Sequence, residues 1–166
     1  AREYFTRLEE TGVESAQVFL EIAHTWLVQN HLDEAQRYFE MALKQRDIFI
    51  VPGKGYAMLN WSPIYSLYKR LGIPEIQDIN VHPDHRRQGI ASSLIIHCED
   101  IARETGKQEM GISVGLYSGY GRAQRLYAKL GYIPDGNGVT YDREFVRPFS
   151  IHPVDDDLCL MMIKKL

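Results

Sequence analysis

The sequence predicts one α/β domain spanning residues 1–166, in which helices cover a central sheet. Segments with strand-like and helix-like apolar patterns alternate along the chain in the order β-α-α-β-β-β-α-β-α-β-β. No linker-like or low-complexity stretch separates them, and 45% of the 166 residues are apolar, which suffices for a single core. This order of elements is typical of a mixed sheet with helices packed on it.

The N-terminal third predicts a strand followed by two amphipathic helices. Residues 3–8 show the period-two alternation of a strand. Thr11 and Glu14 have capping-box spacing, and apolar residues then recur at helical intervals over residues 13–27. A second helix is predicted over residues 33–43. The helix pair also resembles one tetratricopeptide unit, but a lone unit cannot bury its own apolar face, which favours two helices lying on a sheet.

The rest of the chain predicts strands and helices separated by glycine and proline turns. Residues 52–55 have the chemistry of a turn between two strands, and Gly106 and Gly131 each follow the end of a helix. A short aromatic segment covers residues 64–71, and a long polar stretch precedes the last strand. The predicted strands are 48–51, 55–61, 75–81, 110–116, 132–134 and 158–163, and the predicted helices are 89–105 and 121–130.

Composition and charge argue against several classes of partner. Lys plus Arg number 19 against 22 for Asp plus Glu, a net charge of −3, whereas proteins that bind nucleic acid through its phosphates are usually basic. No apolar run is long enough to cross a bilayer, and no secretory leader is recognisable. Cys98 and Cys159 are too few for a disulfide framework. A cytoplasmic protein that binds neither nucleic acid nor membrane is therefore expected.

The most informative segment is a polar loop between a predicted strand and a predicted helix. The helix begins directly at Gly89, and the N–H groups of a first helical turn have no partners within the helix. With the positive end of the helix dipole they form a ready site for phosphate. Gly89 and Ala91 leave the main chain accessible, Ser92 adds a hydroxyl, and Arg86 and Arg87 add positive charge. A solvated surface loop is the alternative interpretation.

Two motifs in this order resemble the GNAT superfamily of acyl-CoA-dependent N-acetyltransferases. Residues 86–91 fit its Q/R-x-x-G-x-G/A signature, and residues 79–83 look like the strand that precedes this signature. Residues 123–132 fit the family's helix pattern A-x-x-L-Y-x-K-x-G-F/Y. The resemblance implies the GNAT fold, an α+β architecture with a central mixed, mostly antiparallel, twisted sheet of about six to seven strands flanked by about four helices.

The resemblance implies that acetyl-CoA is the co-substrate and that this loop binds its pyrophosphate. The pantetheine arm is then expected to pair with the strand edge at Ile79, Asn80 and Val81, with Leu116 across the gap. The family often has asparagine three residues before the helix alanine, where this chain has Tyr120, and Tyr120 is expected to line the tunnel. The residues implied for the pyrophosphate are Arg86, Arg87, Gln88, Gly89, Ile90, Ala91 and Ser92.

The resemblance also implies that a primary amine attacks the acetyl group directly in a ternary complex, with Tyr127 as general acid for the leaving thiolate. An unperturbed phenol, with a pKa of about 10, is protonated at neutral pH. Glu75, eleven residues before Arg86, matches a catalytic glutamate of the histone-acetylating branch and is the candidate base; a solvated strand end is its alternative. Gly115 stands where other branches carry a glutamate. Strand alternation points Asp78 to the face opposite Glu75.

The acceptor is left open between a small amine, an amino acid, an aminoglycoside and a protein N-terminus. Tyr65 and Tyr68 are candidates for the acceptor site, with sealing of the core as their alternative. The three aspartates at 155–157 would bind a cation or a basic substrate, or be solvated. No metal site is expected, because His82, Asp84 and His85 lie in a polar loop without further ligands at useful spacing.

Two other functional classes and the oligomeric state also stay open. A non-catalytic acyl-CoA-binding or regulatory module of the same fold would bind CoA without turnover. A helical interaction protein built on residues 13–45 would not bind CoA. Homodimers are common in the family that the sequence resembles, and the sequence does not reveal an interface.

Overall fold

The sheet and its helices lie in residues 46–166. The computed structural model describes these residues together with His31, Asp33, Glu34 and Arg37. The last three of these are helical, as predicted. The rest of that predicted helix and the predicted elements at 3–8 and 13–27 lie outside the described residues. The chain divides into two compact units, Ala1–Asp47 and Ile48–Leu166, and the candidate site lies in the second.

Residues 46–166 form seven strands and three helices. Two 3-10 turns, Pro83–His85 and Ser118–Tyr120, precede the second and third helices. Within the described residues, none of the helices has the length and apolar character needed to span a membrane. The strands are β1 Arg46–Val51, β2 Gly55–Asn60, β3 Glu75–Val81, β4 Glu109–Gly115, β5 Ile133–Tyr141, β6 Glu144–Phe145 and β7 Leu158–Lys165, and the helices are α1 Ser66–Leu71, α2 Ile90–Glu104 and α3 Gly121–Lys129.

The strands form one mixed sheet in the order β1-β2-β3-β4-β7-β5-β6. The pair β3–β4 is parallel and is connected through α2, whereas β2–β3, β4–β7, β5–β7 and β5–β6 are antiparallel. A parallel pair needs such a crossover connection because its two strands run in the same direction. This confirms the predicted mixed, mostly antiparallel sheet.

The parallel strands β3 and β4 separate soon after they start. Only Glu75 with Gly111 and Ile76 with Ile112 are paired between them, so the rest of β3 has no partner on its β4 side. The separation coincides with a bulge: the register of β2 against β3 shifts by one residue, and Asp78 lies in the bulge with a φ of +50°. The fold therefore leaves a gap in the middle of the sheet.

The main core lies between the sheet and the inward face of α2. Leu94, Ile95, Cys98 and Ala102 are buried there against sheet residues such as Ile112. The helical periodicity predicts this face correctly, and Cys98 packs as the small apolar residue that was expected.

The C-terminal part of the sheet is more regular than the sequence predicts. The predicted strand at 132–134 extends to Tyr141, and β6 forms a hairpin with it inside the predicted polar stretch. Residues 135–138, Asp-Gly-Asn-Gly, have the composition of a turn. In the structure they occupy an irregularity in the pairing of β5 with β7, and pairing resumes at Val139.

Candidate active site

The loop before α2 has the geometry of an anion-binding helix N-terminus. Gly89 caps the helix with a φ of +82°, and the first helical hydrogen bond runs from Ser93 N–H to the Gly89 carbonyl at 3.0 Å. Among the described residues, no acceptor is found for the main-chain N–H groups of residues 87–92. The first turn of α2 holds no acidic side chain. These unpaired donors and the helix dipole favour a bound phosphate.

Arg86 departs from the predicted cradle. Its N–H group donates to the Pro83 carbonyl at 3.3 Å and its side-chain Nε donates to the Val81 carbonyl at 3.1 Å. The set of free amides therefore begins at Arg87, one residue later than predicted. Arg87 is exposed and, like Gly89, lies in the left-handed region, with a φ of +65°.

A cavity of about 440 Å³ lies where β3 and β4 separate. The predicted Ile79 and Asn80 line it from the free edge of β3, and Tyr120 and Tyr127 line it from the segment after β4. The described residues that line it are Tyr56, Ile76, Gln77, Asp78, Ile79, Asn80, Ser113, Gly115, Tyr120, Tyr127, Asp142, Arg143, Asp156, Asp157 and Cys159. The gap predicted for the pantetheine arm is therefore present. Leu116, expected across it, uses its N–H group in a bond to the Leu158 carbonyl.

Tyr127 lines this cavity and carries a hydroxyl without a partner among the described residues. The residue is only 8% exposed, and it packs in the core while lining the cavity. Burial raises the pKa of Tyr127 to about 12. No hydrogen-bond partner for its hydroxyl is found in the described part of the chain. A buried phenol that stays protonated and lacks a partner is suited to donate a proton to a ligand.

The ring of Tyr120 covers Gly115 at the end of β4. A Cβ atom on Gly115 would lie 2.4 Å from Cδ2 of Tyr120, so a side chain at this position would require the Tyr120 ring to move. The hydroxyls of Tyr117 and Tyr120 donate to Oδ1 of Asp156 at 2.6 and 2.9 Å. The ring of Tyr120 thus lies over the strand position at which the family resemblance would place a glutamate.

Glu75 is buried in an ion pair and does not line the cavity. Its side chain has no exposed surface; Oε1 accepts from Nη1 of Arg143, and Oε2 accepts from Nε2 of Gln77 at 2.9 Å. The alternative of a solvated strand end is therefore wrong. Asp78, predicted to face the other way, does line the cavity.

The sequence matches the family model described as Acetyltransferase (GNAT) family over residues 21–132. The chain belongs to this family. No curated protein is significantly similar to the chain in sequence.

Solved structures of acetyltransferases share the fold. An IAA acetyltransferase from Bacillus cereus is 16% identical, with 79% of this chain and 84% of that chain covered and a TM-score of 0.55. An acetyltransferase from Bacillus subtilis in complex with CoA is 16% identical (81% and 86% covered, TM-score 0.54). A GNAT family acetyltransferase from Elizabethkingia anophelis with acetyl-CoA bound is 16% identical (79% and 83% covered, TM-score 0.53). At these identities the likeness shows the fold alone.

Tyr65 and Tyr68 lie in the core and away from the cavity. Both side chains are fully buried. The Tyr65 hydroxyl donates to Oδ2 of Asp135 at 2.5 Å, and the Tyr68 hydroxyl donates to the Met162 carbonyl at 2.6 Å. The structure therefore supports their alternative role, sealing of the core, and does not bring them to an acceptor site. Tyr65 caps the short helix α1 and Tyr68 lies within it, and both pack in a core cluster with Met161, which an aromatic pattern alone does not reveal.

Sequence reasoning missed the hairpin between β5 and β6. Its two-residue turn consists of Asp142 and Arg143, with φ values of +47° and +67°, and both residues line the cavity. Paired positive φ values are typical of a type I′ turn, which usually contains Asn-Gly or Asp-Gly. The dipeptide Asp-Arg lacks that glycine signal. The aspartate shortly before the residues of β6 was a weak indication of the turn.

Proposed function

We propose that this protein is an acetyl-CoA-dependent N-acetyltransferase that acetylates a primary amine by direct attack in a ternary complex. The observation that carries the proposal is the row of unpaired N–H groups at residues 87–92. This row follows the free edge of β3, and that edge lines the same cavity as Tyr127. The solved relatives with CoA or acetyl-CoA bound support the choice of donor.

The chain offers a separate contact for each part of the donor. The amides of residues 87–92 would bind the pyrophosphate, and the exposed Arg87 adds charge. The free edge at Ile79 and Asn80 would accept the pantetheine amides as an added strand. The acetyl group would then reach the part of the cavity bounded by Tyr127 and Tyr120.

Tyr127 would supply the proton that the leaving thiolate needs. The amine nitrogen forms a bond to the thioester carbon, the carbon–sulfur bond breaks, and its electron pair takes the proton of the Tyr127 hydroxyl. The proton lost by the amine passes to water at the cavity mouth, and water reprotonates the phenolate. Cys159 also lines the cavity, but burial raises the pKa of its thiol, which does not favour a thiolate nucleophile.

Gly89→Ala should weaken binding of acetyl-CoA about tenfold. An alanine costs about 1–2 kcal/mol in the left-handed region, and the loop must keep that conformation to hold its N–H groups around the pyrophosphate. The space around Gly89 is open: a Cβ added there would meet no atom within 4 Å, so the effect would come from the backbone and not from a clash with the protein. Calorimetric titration with acetyl-CoA and with CoA measures it.

Gly106→Ala is the matched control for this titration. Gly106 follows the other end of α2 with a φ of +81° and also has nothing within 4 Å. The alanine is equally strained there, so stability should fall while donor affinity stays the same. Equal donor affinity in Gly89→Ala and wild type, or no binding to wild type, would refute the proposed loop. Binding of CoA without acetylation of any amine would indicate the non-catalytic module.

A further inference from the structure

We propose, resting on the function above, that the acceptor is a small oligoamine: one amine is acetylated, and a second ammonium group is held by carboxylates of the cavity wall. Four aspartates, Asp78, Asp142, Asp156 and Asp157, line the cavity. They come from the β3 bulge, from the hairpin turn and from the segment before β7. A wall built from three separate segments with charge of one sign concentrates the field inside the cleft.

None of these four carboxylates has a cationic partner within the described residues. The ion pairs there involve other acids, namely Glu75, Asp84, Glu99 and Asp100. Among the described lining residues Arg143 is the one with a basic side chain, and its charge is matched by the buried Glu75. The cavity wall therefore carries several uncompensated negative charges, which a cationic ligand would neutralise.

Tyr127 independently indicates where that ligand sits. The residue lines the cavity and is only 8% exposed, and its hydroxyl has no partner among the residues described. A buried hydroxyl without a partner implies a ligand that supplies one. The reacting amine would lie near this end, and a second ammonium would lie at the carboxylates.

The carboxylates come from three separate segments, which suits an extended ligand. In the described region no three His, Cys, Asp or Glu side chains converge closely enough to hold a metal ion. Two of the carboxylates are brought together by the main chain, because Asp142 N–H donates to the Asp157 carbonyl at 3.1 Å. Tyr56, Ile76 and Tyr120 lie in the same lining and would pack against the methylene groups of an alkyl linker.

Three six-carbon amines of matched length test the proposal: n-hexylamine, 1,6-diaminohexane and 6-aminohexanoate. Their far ends are neutral, positive and negative. With saturating acetyl-CoA, kcat/KM for 1,6-diaminohexane should exceed that for n-hexylamine about tenfold, beyond the factor of two for its two equivalent amines. The ratio should shrink towards that factor in 1 M NaCl, where the screening length is only about 3 Å. The anionic 6-aminohexanoate should be the poorest acceptor.

Asp142→Asn and Asp157→Asn should each lower the preference for the diamine several-fold. Asparagine tolerates the left-handed conformation of position 142, so the turn is kept. Asp155→Asn is the matched control: Asp155 belongs to the same run of acids but does not line the cavity, and its Oδ2 accepts from the Tyr141 hydroxyl at 3.0 Å. This variant should keep the wild-type preference.

Equal use of n-hexylamine and 1,6-diaminohexane after the statistical correction would overturn the oligoamine proposal and leave the proposed acetyltransferase intact. Preference for 6-aminohexanoate would also overturn it, and would indicate that Arg143 binds an acceptor carboxylate. If acetyl-CoA binds but no amine in the series is acetylated, the oligoamine proposal fails, whereas the proposed acetyltransferase fails only if no amine of any class is acetylated. A diamine preference that persists in 1 M NaCl and in both Asp142→Asn and Asp157→Asn would likewise refute the oligoamine proposal.

Discussion

Replacing Tyr127 with phenylalanine should lower kcat about 100-fold, the usual contribution of a positioned general acid. The affinity for acetyl-CoA should change little, because the hydroxyl would act only when the carbon–sulfur bond breaks. Burial raises the pKa of Tyr127 to about 12. The acid form is therefore present throughout the neutral range, and a loss of activity between pH 8 and pH 10 would belong to another group. Steady-state kinetics over this pH range, with calorimetry for the donor, measure both effects.

Tyr132→Phe separates catalysis from packing in this experiment. The rings of Tyr127 and Tyr132 lie 6.3 Å apart, but the Tyr132 hydroxyl donates to Oε1 of the buried Glu99 at 3.0 Å. Loss of that bond to a carboxylate should lower stability by about 1–3 kcal/mol. Tyr127→Phe removes a hydroxyl without a protein partner, so its melting temperature should stay near that of wild type. A Tyr127→Phe enzyme with the wild-type kcat would remove the proposed acid.

Breaking the ion pair between Glu75 and Arg143 should give the largest loss of stability. Arg143→Met leaves the Glu75 carboxylate charged and fully buried, which typically costs about 3–5 kcal/mol. Glu75→Gln leaves Arg143 without its partner, and Arg143 is 26% exposed, so a smaller loss is expected. The double variant removes both charges and should be more stable than the sum of the single losses predicts. Urea denaturation of all four proteins measures the coupling.

The same variants decide how Glu75 acts. If Glu75 anchors Arg143, then Glu75→Gln should keep the acid limb of the kcat/KM profile while lowering stability. Loss of that limb in a folded Glu75→Gln protein would establish Glu75 as the base. Additive stability losses in the double variant would show that the pair contributes no coupling and would contradict the anchoring role.

Features that depend on neighbouring residues could be predicted from the sequence. Local periodicity predicts the strand at 75–81 and the inward face of α2. Gly89, whose positive φ favours glycine, marks the start of α2. The position of Tyr127 on α3 came from a motif of ten residues. For these features the backbone conformation is set by residues within one or two turns.

The composition of the cavity wall depended on contacts between distant segments. Glu75 and Arg143 are 68 residues apart, and nothing near Glu75 in the sequence indicates that a cation will cover it. Tyr65 and Tyr68 could equally have faced a cleft or the core, and only their packing decided. Thus the sequence by itself determined the family, the candidate anion-binding loop and the candidate acid, because these rest on local patterns. The tertiary structure alone decided the acidic wall and the buried ion pair, because burial and pairing arise only when the sheet brings remote residues together.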